Sequence, residues 1–175
     1  MSLLLVVFAA TASFAQERWT FANEIPCSSA PVYGVPFTRC WTSNVRTFRI
    51  GSVQGWRLTF ADAMSESEVG LYSLVDPRGS GGLPPVSAGS SMIEWIRTAD
   101  ALKDVTAGAA GWTPNGNDGQ QPYVTFQKGR RQCLAFVRNG PAQRWILGAA
   151  FCRESASPIA ASEAAFISDA IKVRQ

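Results

Sequence analysis

Apolar and polar positions alternate most clearly in the last third of the chain. Leu134 and Phe136 stand on one side of an extended run over residues 131–138, and Trp145, Leu147, Ala149 and Phe151 on one side of the next, over 144–151. A period of two places successive side chains on opposite faces of a strand, so the two runs predict a hairpin whose bulky faces cover one core. Asn139-Gly140-Pro141 supplies the turn between them, and residues 123–127 predict a preceding strand. Cys133 and Cys152 fall on the other parity, among the small residues Ala135, Gly148 and Ala150, which leaves room for a cross-strand bridge. A tight turn centred on Gly140 and Pro141 does not set the two cysteines opposite each other, so the bridge requires a wider loop or a bulge.

Upstream, residues 19–41 hold Pro26, Pro31, Gly34 and Pro36 around two cysteines and read as an irregular stapled segment with short extended pieces. β-Branched and aromatic runs over 45–50 and 56–61, separated by Gly51, Ser52 and Gly55, predict a hairpin, and 69–75 a third strand. Glycine and proline mark 76–89 and 108–122 as long loops. Between them Ser91-Met92-Ile93-Glu94 has the form of a capping box. Met92, Trp95, Ile96, Ala99 and Leu102 then recur at helical spacing, predicting an amphipathic helix to about Val105. Ser157 and Pro158 start a C-terminal helix carrying Ala160, Ala164, Ile167 and Ile171 on one side. The expected fold is α+β, a mainly antiparallel sheet with one internal and one C-terminal helix.

Residues 1–15 form an apolar run closed by Ser13 and Ala15, the pattern of a signal peptide cleaved before Gln16. The run is too short to span a bilayer, and no transmembrane span is expected after processing. Residues 16–175 are then a single domain in a periplasmic or secreted setting. Four cysteines in an oxidising compartment predict two disulfides. Of three possible pairings, Cys27–Cys40 and Cys133–Cys152 close the shortest loops.

The chain has no histidine, which excludes Ser-His-Asp and Cys-His nucleophile systems and His-ligated zinc. The cysteines form no CxxC pair, so neither a metal site nor redox catalysis is expected, and no cofactor motif is present. Glu66, Glu68, Asp76, Glu94, Asp100 and Asp104 could supply an acid and a base for cleavage of cell-wall glycan, but their spacing selects no pair.

Charge is unevenly distributed. Residues 16–122 carry 8 Lys and Arg against 10 Asp and Glu, whereas residues 123–175 carry 8 against 3. The predicted hairpin gathers Lys128, Arg130, Arg131 and Arg153 near its open end, and guanidinium forks suit carboxylate or phosphate. Trp112, in a Gly and Pro loop, is the tryptophan hardest to bury and a candidate stacking surface. A solvated rim and a core tryptophan are the plain alternatives for these residues.

The tail Gln132-Cys133-Leu134-Ala135-Phe136, then Leu147-Gly148-Ala149-Ala150-Phe151-Cys152 and a short helix ending Ile171-Lys172-Val173-Arg174, resembles the ends of small uncharacterised exported two-disulfide proteins of alpha-proteobacteria. The resemblance covers about a quarter of the chain. It implies an envelope setting and brings no activity or site residues with it. The function expected is a non-enzymatic binding module for an anionic glycan, lipid headgroup or acidic protein of the envelope or host, with no nucleic acid as partner. The alternatives are a carboxylate-dependent cell-wall glycan hydrolase and an envelope assembly accessory protein.

Overall fold

The computed structural model describes residues 20–79, 81–83, 106–113 and 121–174. The expected helix over 91–105 lies outside them. Among the described residues nine strands form one antiparallel sheet. The strands are β1 (Asn23–Ile25), β3 (Arg39–Thr42), β4 (Arg46–Phe48), β5 (Gly51–Ala61), β6 (Ser65–Pro77), β7 (Thr106–Trp112), β8 (Pro122–Lys128), β9 (Arg131–Asn139) and β10 (Trp145–Glu154). Their order is β1-β3-β5-β6-β10-β9-β8-β7, with β4 also paired to β5. A separate two-stranded ribbon joins β2 (Val32–Tyr33) to β11 (Lys172–Val173). One α-helix is present among the described residues, α1 (Ala161–Ala170). Among those residues no helix is long and apolar enough to cross a membrane.

Pleat parity divides the core in two. On the side called face A, Leu58, Val69, Leu71, Leu134, Phe136, Leu147 and Ala149 pack with Val32 of the ribbon and with Ala164 and Ile171 of α1 and its end. On face B, Val53, Leu74, Val124, Phe126, Ala135, Val137 and Ile146 pack together with Leu83, whose N–H donates to Gln143 O. The central strands are apolar at both parities because both sides are covered. Face A matches the sharing of sides expected for Leu134, Phe136, Trp145, Leu147, Ala149 and Phe151.

Both disulfides form as expected, Cys27–Cys40 and Cys133–Cys152. Cys133 directly opposes Cys152, at a Cα separation of 4.0 Å. The wider loop that this requires is present: Asn139 pairs with Ile146, and a 3-10 turn over Pro141–Gln143 lies between them. Ala142 and Gln143 take positive φ there, a left-handed backbone that costs a non-glycine residue about 1–2 kcal/mol.

Three boundaries differ from expectation, and glycine is the reason in the first two. Gly51 and Gly55, expected between two strands, lie inside β5; a Cβ at residue 55 would stand 3.2–3.3 Å from Phe21, Tyr72 and Ser43, so the close approach of those side chains selects glycine. Residues 106–112 form β7, so the first half of the loop expected over 108–122 is strand. Gly111 lies against the Tyr123 ring, where a Cβ would come within 3.0–3.2 Å, so the glycine admits an aromatic cross-strand neighbour and does not mark a turn. The C-terminal helix starts at Ala161, later than Ser157, because the Ser155 hydroxyl holds residues 155–157 in a bend.

Candidate functional site

The turn between β8 and β9 is two residues long, with Lys128 paired to Arg131. Gly129 supplies the left-handed conformation at φ +60, and the reversal brings three cations from four consecutive positions to one end of the sheet. Register fixes which way they face. Arg131 has the parity of Cys133, and Lys128 that of Phe126, so both are on face B. Glu66 has the parity of Cys152, and Glu154 directly opposes Arg131, so two carboxylates join them. Glu66, Lys128, Arg130, Arg131 and Glu154 line an open depression of about 420 Å³.

Glu66 is the centre of this site. Lys128 Nζ lies 2.7 Å from its Oε1 and Arg131 Nη1 2.7 Å from its Oε2, so each oxygen holds one cation. Lys128 reaches it across β9 and β10, over the small, buried Cys133–Cys152 bridge. Burial pushes the Glu66 carboxyl up, but the hydrogen bond and charge of Lys128, with Arg131 behind them, outweigh it and hold the group below its ordinary value. Arg130 is different: its side chain is 91% exposed, and its guanidinium lies 3.7 Å from Glu154.

The neighbouring hairpin tip abuts the site. The Glu154 N–H donates to Met64 O, and Asp62 Oδ1 accepts from the N–H groups of Met64 (2.8 Å) and Ser65 (2.6 Å). Those bonds lower the Asp62 pKa, that of Ser65 first.

Of the four cations expected to gather, Lys128, Arg130 and Arg131 do so and Arg153 does not, and Trp112, the candidate stacking surface, lies elsewhere. Arg153 has the parity of Gln132 and faces α1, where its Nε and Nη2 donate to Glu163 at 2.6 and 2.8 Å. Proximity along the hairpin was the wrong criterion for Arg153; alternation sends it to face A. Trp112 is 57% exposed, but it pairs with Pro122, six positions along β8 from Lys128 and so roughly 20 Å away. Glu154 was absent from the expected site, and its place opposite Arg131 follows from the widened β9–β10 loop. Glu66 was one of the candidate acid or base carboxylates. Its lowered pKa is the opposite of what a general acid needs. Asp76 lies at the far end of the same strand, and Glu94, Asp100 and Asp104 lie outside the described residues.

Comparison with protein-family models, curated proteins and solved structures finds no match to this chain. The chemistry of the site itself is what remains. Two cations hold a carboxylate between them, and a third, exposed guanidinium stands at the rim: the arrangement holds an anion already and presents a fork to another.

Proposed function

We propose that this protein is a non-enzymatic binding domain of the periplasm or cell exterior that takes an anionic component of the envelope or host at the β8–β9 turn. The observation that carries the reading is the convergence of Lys128, Arg130 and Arg131 on one open depression, with Arg130 extended into solvent. Exposed Arg130 makes the first contact. An anion that enters further competes with Glu66 for Lys128 and Arg131, so its binding there carries the cost of leaving the Glu66 carboxylate without them. Two disulfides fit an extracytoplasmic setting.

Retention on a carboxylated-polysaccharide resin under a salt gradient tests the proposal. Joint replacement Lys128→Gln, Arg130→Gln and Arg131→Gln is expected to abolish salt-sensitive retention, and Arg153→Gln, on the other face, to leave it in place. Equal retention of the triple variant and the parent protein would overturn the assignment.

A further inference from the structure

A second cationic group lies on face B, on strands remote from the turn. Strands β3 and β5 pair with Trp41 directly opposite Arg57, which puts both on one side of the sheet, and Arg39, two residues before Trp41, shares that side. The Arg39 guanidinium lies 4.7 Å from the centroid of the Trp41 ring, and that of Arg57 5.7 Å. Such contacts orient a guanidinium without neutralising it. Each arginine also meets a carboxylate: Arg39 Nε lies 3.3 Å from Glu24 Oε1, and Arg57 Nε 2.8 Å from Glu68 Oε1. Glu68 is two residues along β6 from Glu66 and on the same side, so this group continues into the first. A groove of about 140 Å³ runs from Lys128 past Glu66 as far as Glu68, the carboxylate partner of Arg57, lined also by Ala61, Ala150 and Cys152.

We infer that the ligand is an extended acidic polysaccharide laid across the strands, with one subsite at Lys128, Arg130 and Arg131 and a second at Arg39, Trp41 and Arg57. The inference rests on the proposal that the turn binds an anion, and it adds the ligand's class and length. The backbones of β5 and β8 are four strand spacings apart, but Lys128 and Arg131 reach Glu66, and Arg57 reaches Glu68, two residues along β6. It is therefore Arg39 and Trp41 on β3 that lie beyond a small anion held by Arg130 beside Glu154: β3 to β10 is three strand spacings, about 14 Å on a flat sheet. Cations and carboxylates alternate along the way. A densely charged polyanion would meet Glu24, Glu68, Glu66 and Glu154 as repulsion. A chain of uronic acid rings carries one carboxylate per ring for the guanidiniums and several hydroxyls that donate to the glutamates. Its ring faces suit an indole, the one aromatic surface in the second group.

Binding of an oligogalacturonate disaccharide and octasaccharide, measured by calorimetry on the full chain, tests this. The octasaccharide is expected to bind at least about tenfold more tightly than the disaccharide, through the effective concentration of the second contact. Arg39→Gln, at an exposed position where folding is not at stake, and Trp41→Leu are each expected to remove most of that advantage. Arg130→Gln, by contrast, should weaken both oligomers. Equal affinity for the two lengths, or an octasaccharide advantage that survives Arg39→Gln, overturns the second subsite while the anion site stands. Arg130-dependent binding to phosphatidylglycerol vesicles with neither oligomer bound overturns the polysaccharide class alone. Failure of every anionic probe overturns the underlying function and this inference with it.

Discussion

The β9–β10 hairpin carries arginine on both of its sides, and the two sides use it differently. On face A, Arg138 is 5% exposed and donates from Nη2 to Ile171 O at 2.7 Å and from Nη1 to Ser168 O at 3.4 Å, at the C-terminal end of α1, while Arg153 holds Glu163 near its start. On face B, Arg130 and Arg131 stand beside an open depression. Residues one position apart therefore serve opposite ends: Arg153 clamps a helix to the sheet, and its neighbour Glu154 lines the site. Five of the eight cations of the C-terminal third thus fall into two groups, Arg138 and Arg153 that join α1 to the sheet, and Lys128, Arg130 and Arg131 that line the open depression. A count of charge along the sequence merges them.

The sharpest way to break this distinction is to remove a cation from each face. Arg138→Met keeps the apolar stem over the Trp145 ring, whose centroid lies 5.6 Å from the guanidinium, but leaves the helix-end carbonyls without that donor. Ser168 O keeps the Ile171 N–H, so Ile171 O is the group left without a donor, and a loss of about 1–3 kcal/mol is expected in urea denaturation. Arg130→Gln is expected to stay within about 0.5 kcal/mol of the parent, as a surface change does. Similar losses for the two variants would end the division into structural and ligand-facing arginines.

Much of the sheet is legible in the sequence, because alternation and cysteine parity are local signals. Leu134, Phe136, Leu147 and Ala149 declare one face, and Cys133 and Cys152 the other. The need for a wider β9–β10 loop followed from that parity alone. What escaped were features set by distant partners. Gly111 reads as loop until Tyr123 is known to lie against it, and the true extent of β5 is hidden by Gly51 and Gly55 for a related reason. Glu66 is 62 positions from Lys128, and no local pattern ties them; the β6–β10 pairing does. Arg153 is a different kind of miss, since its parity was in the sequence and grouping by strand end overrode it.

A smaller effect sharpens the contrast on face A itself. Arg153 and Glu163 form a two-point contact with side chains about a quarter and a third exposed. Water and salt screen such a pair, so Arg153→Gln is expected to cost only about 0.5–1 kcal/mol in thermal denaturation at low salt, and less at high salt. The hydrogen bond to Arg153 is the main reason that the Glu163 carboxyl lies below its ordinary value. The same variant should therefore raise the Glu163 pKa, which carboxyl NMR titration would detect. No change in that titration would show that α1 is held by its apolar contacts and Arg138 alone.

Glu66 separates stability from binding, and its predicted effect on stability is the smallest. Its carboxyl lies below the ordinary 4.5 in the folded protein. A lowered carboxyl contributes stability that is complete above the unfolded value and is lost as pH falls through the folded one. Between about pH 5 and the folded pKa, the parent should therefore weaken with acid more steeply than Glu66→Gln. At neutral pH the substitution should cost less than about 1 kcal/mol, because Lys128 and Arg131 remain partly solvated. Its effect on retention by an anionic resin should have the opposite sign, since both cations lose their resident counter-ion and the incoming anion no longer has to displace it. Glu163→Gln shares the acid behaviour, because that carboxyl is also lowered, but on face A it should leave retention untouched. Glu66→Gln with weaker or unchanged retention and an intact fold would mean that Glu66 orders Lys128 and Arg131 for the ligand and does not compete with it, reversing its role on face B.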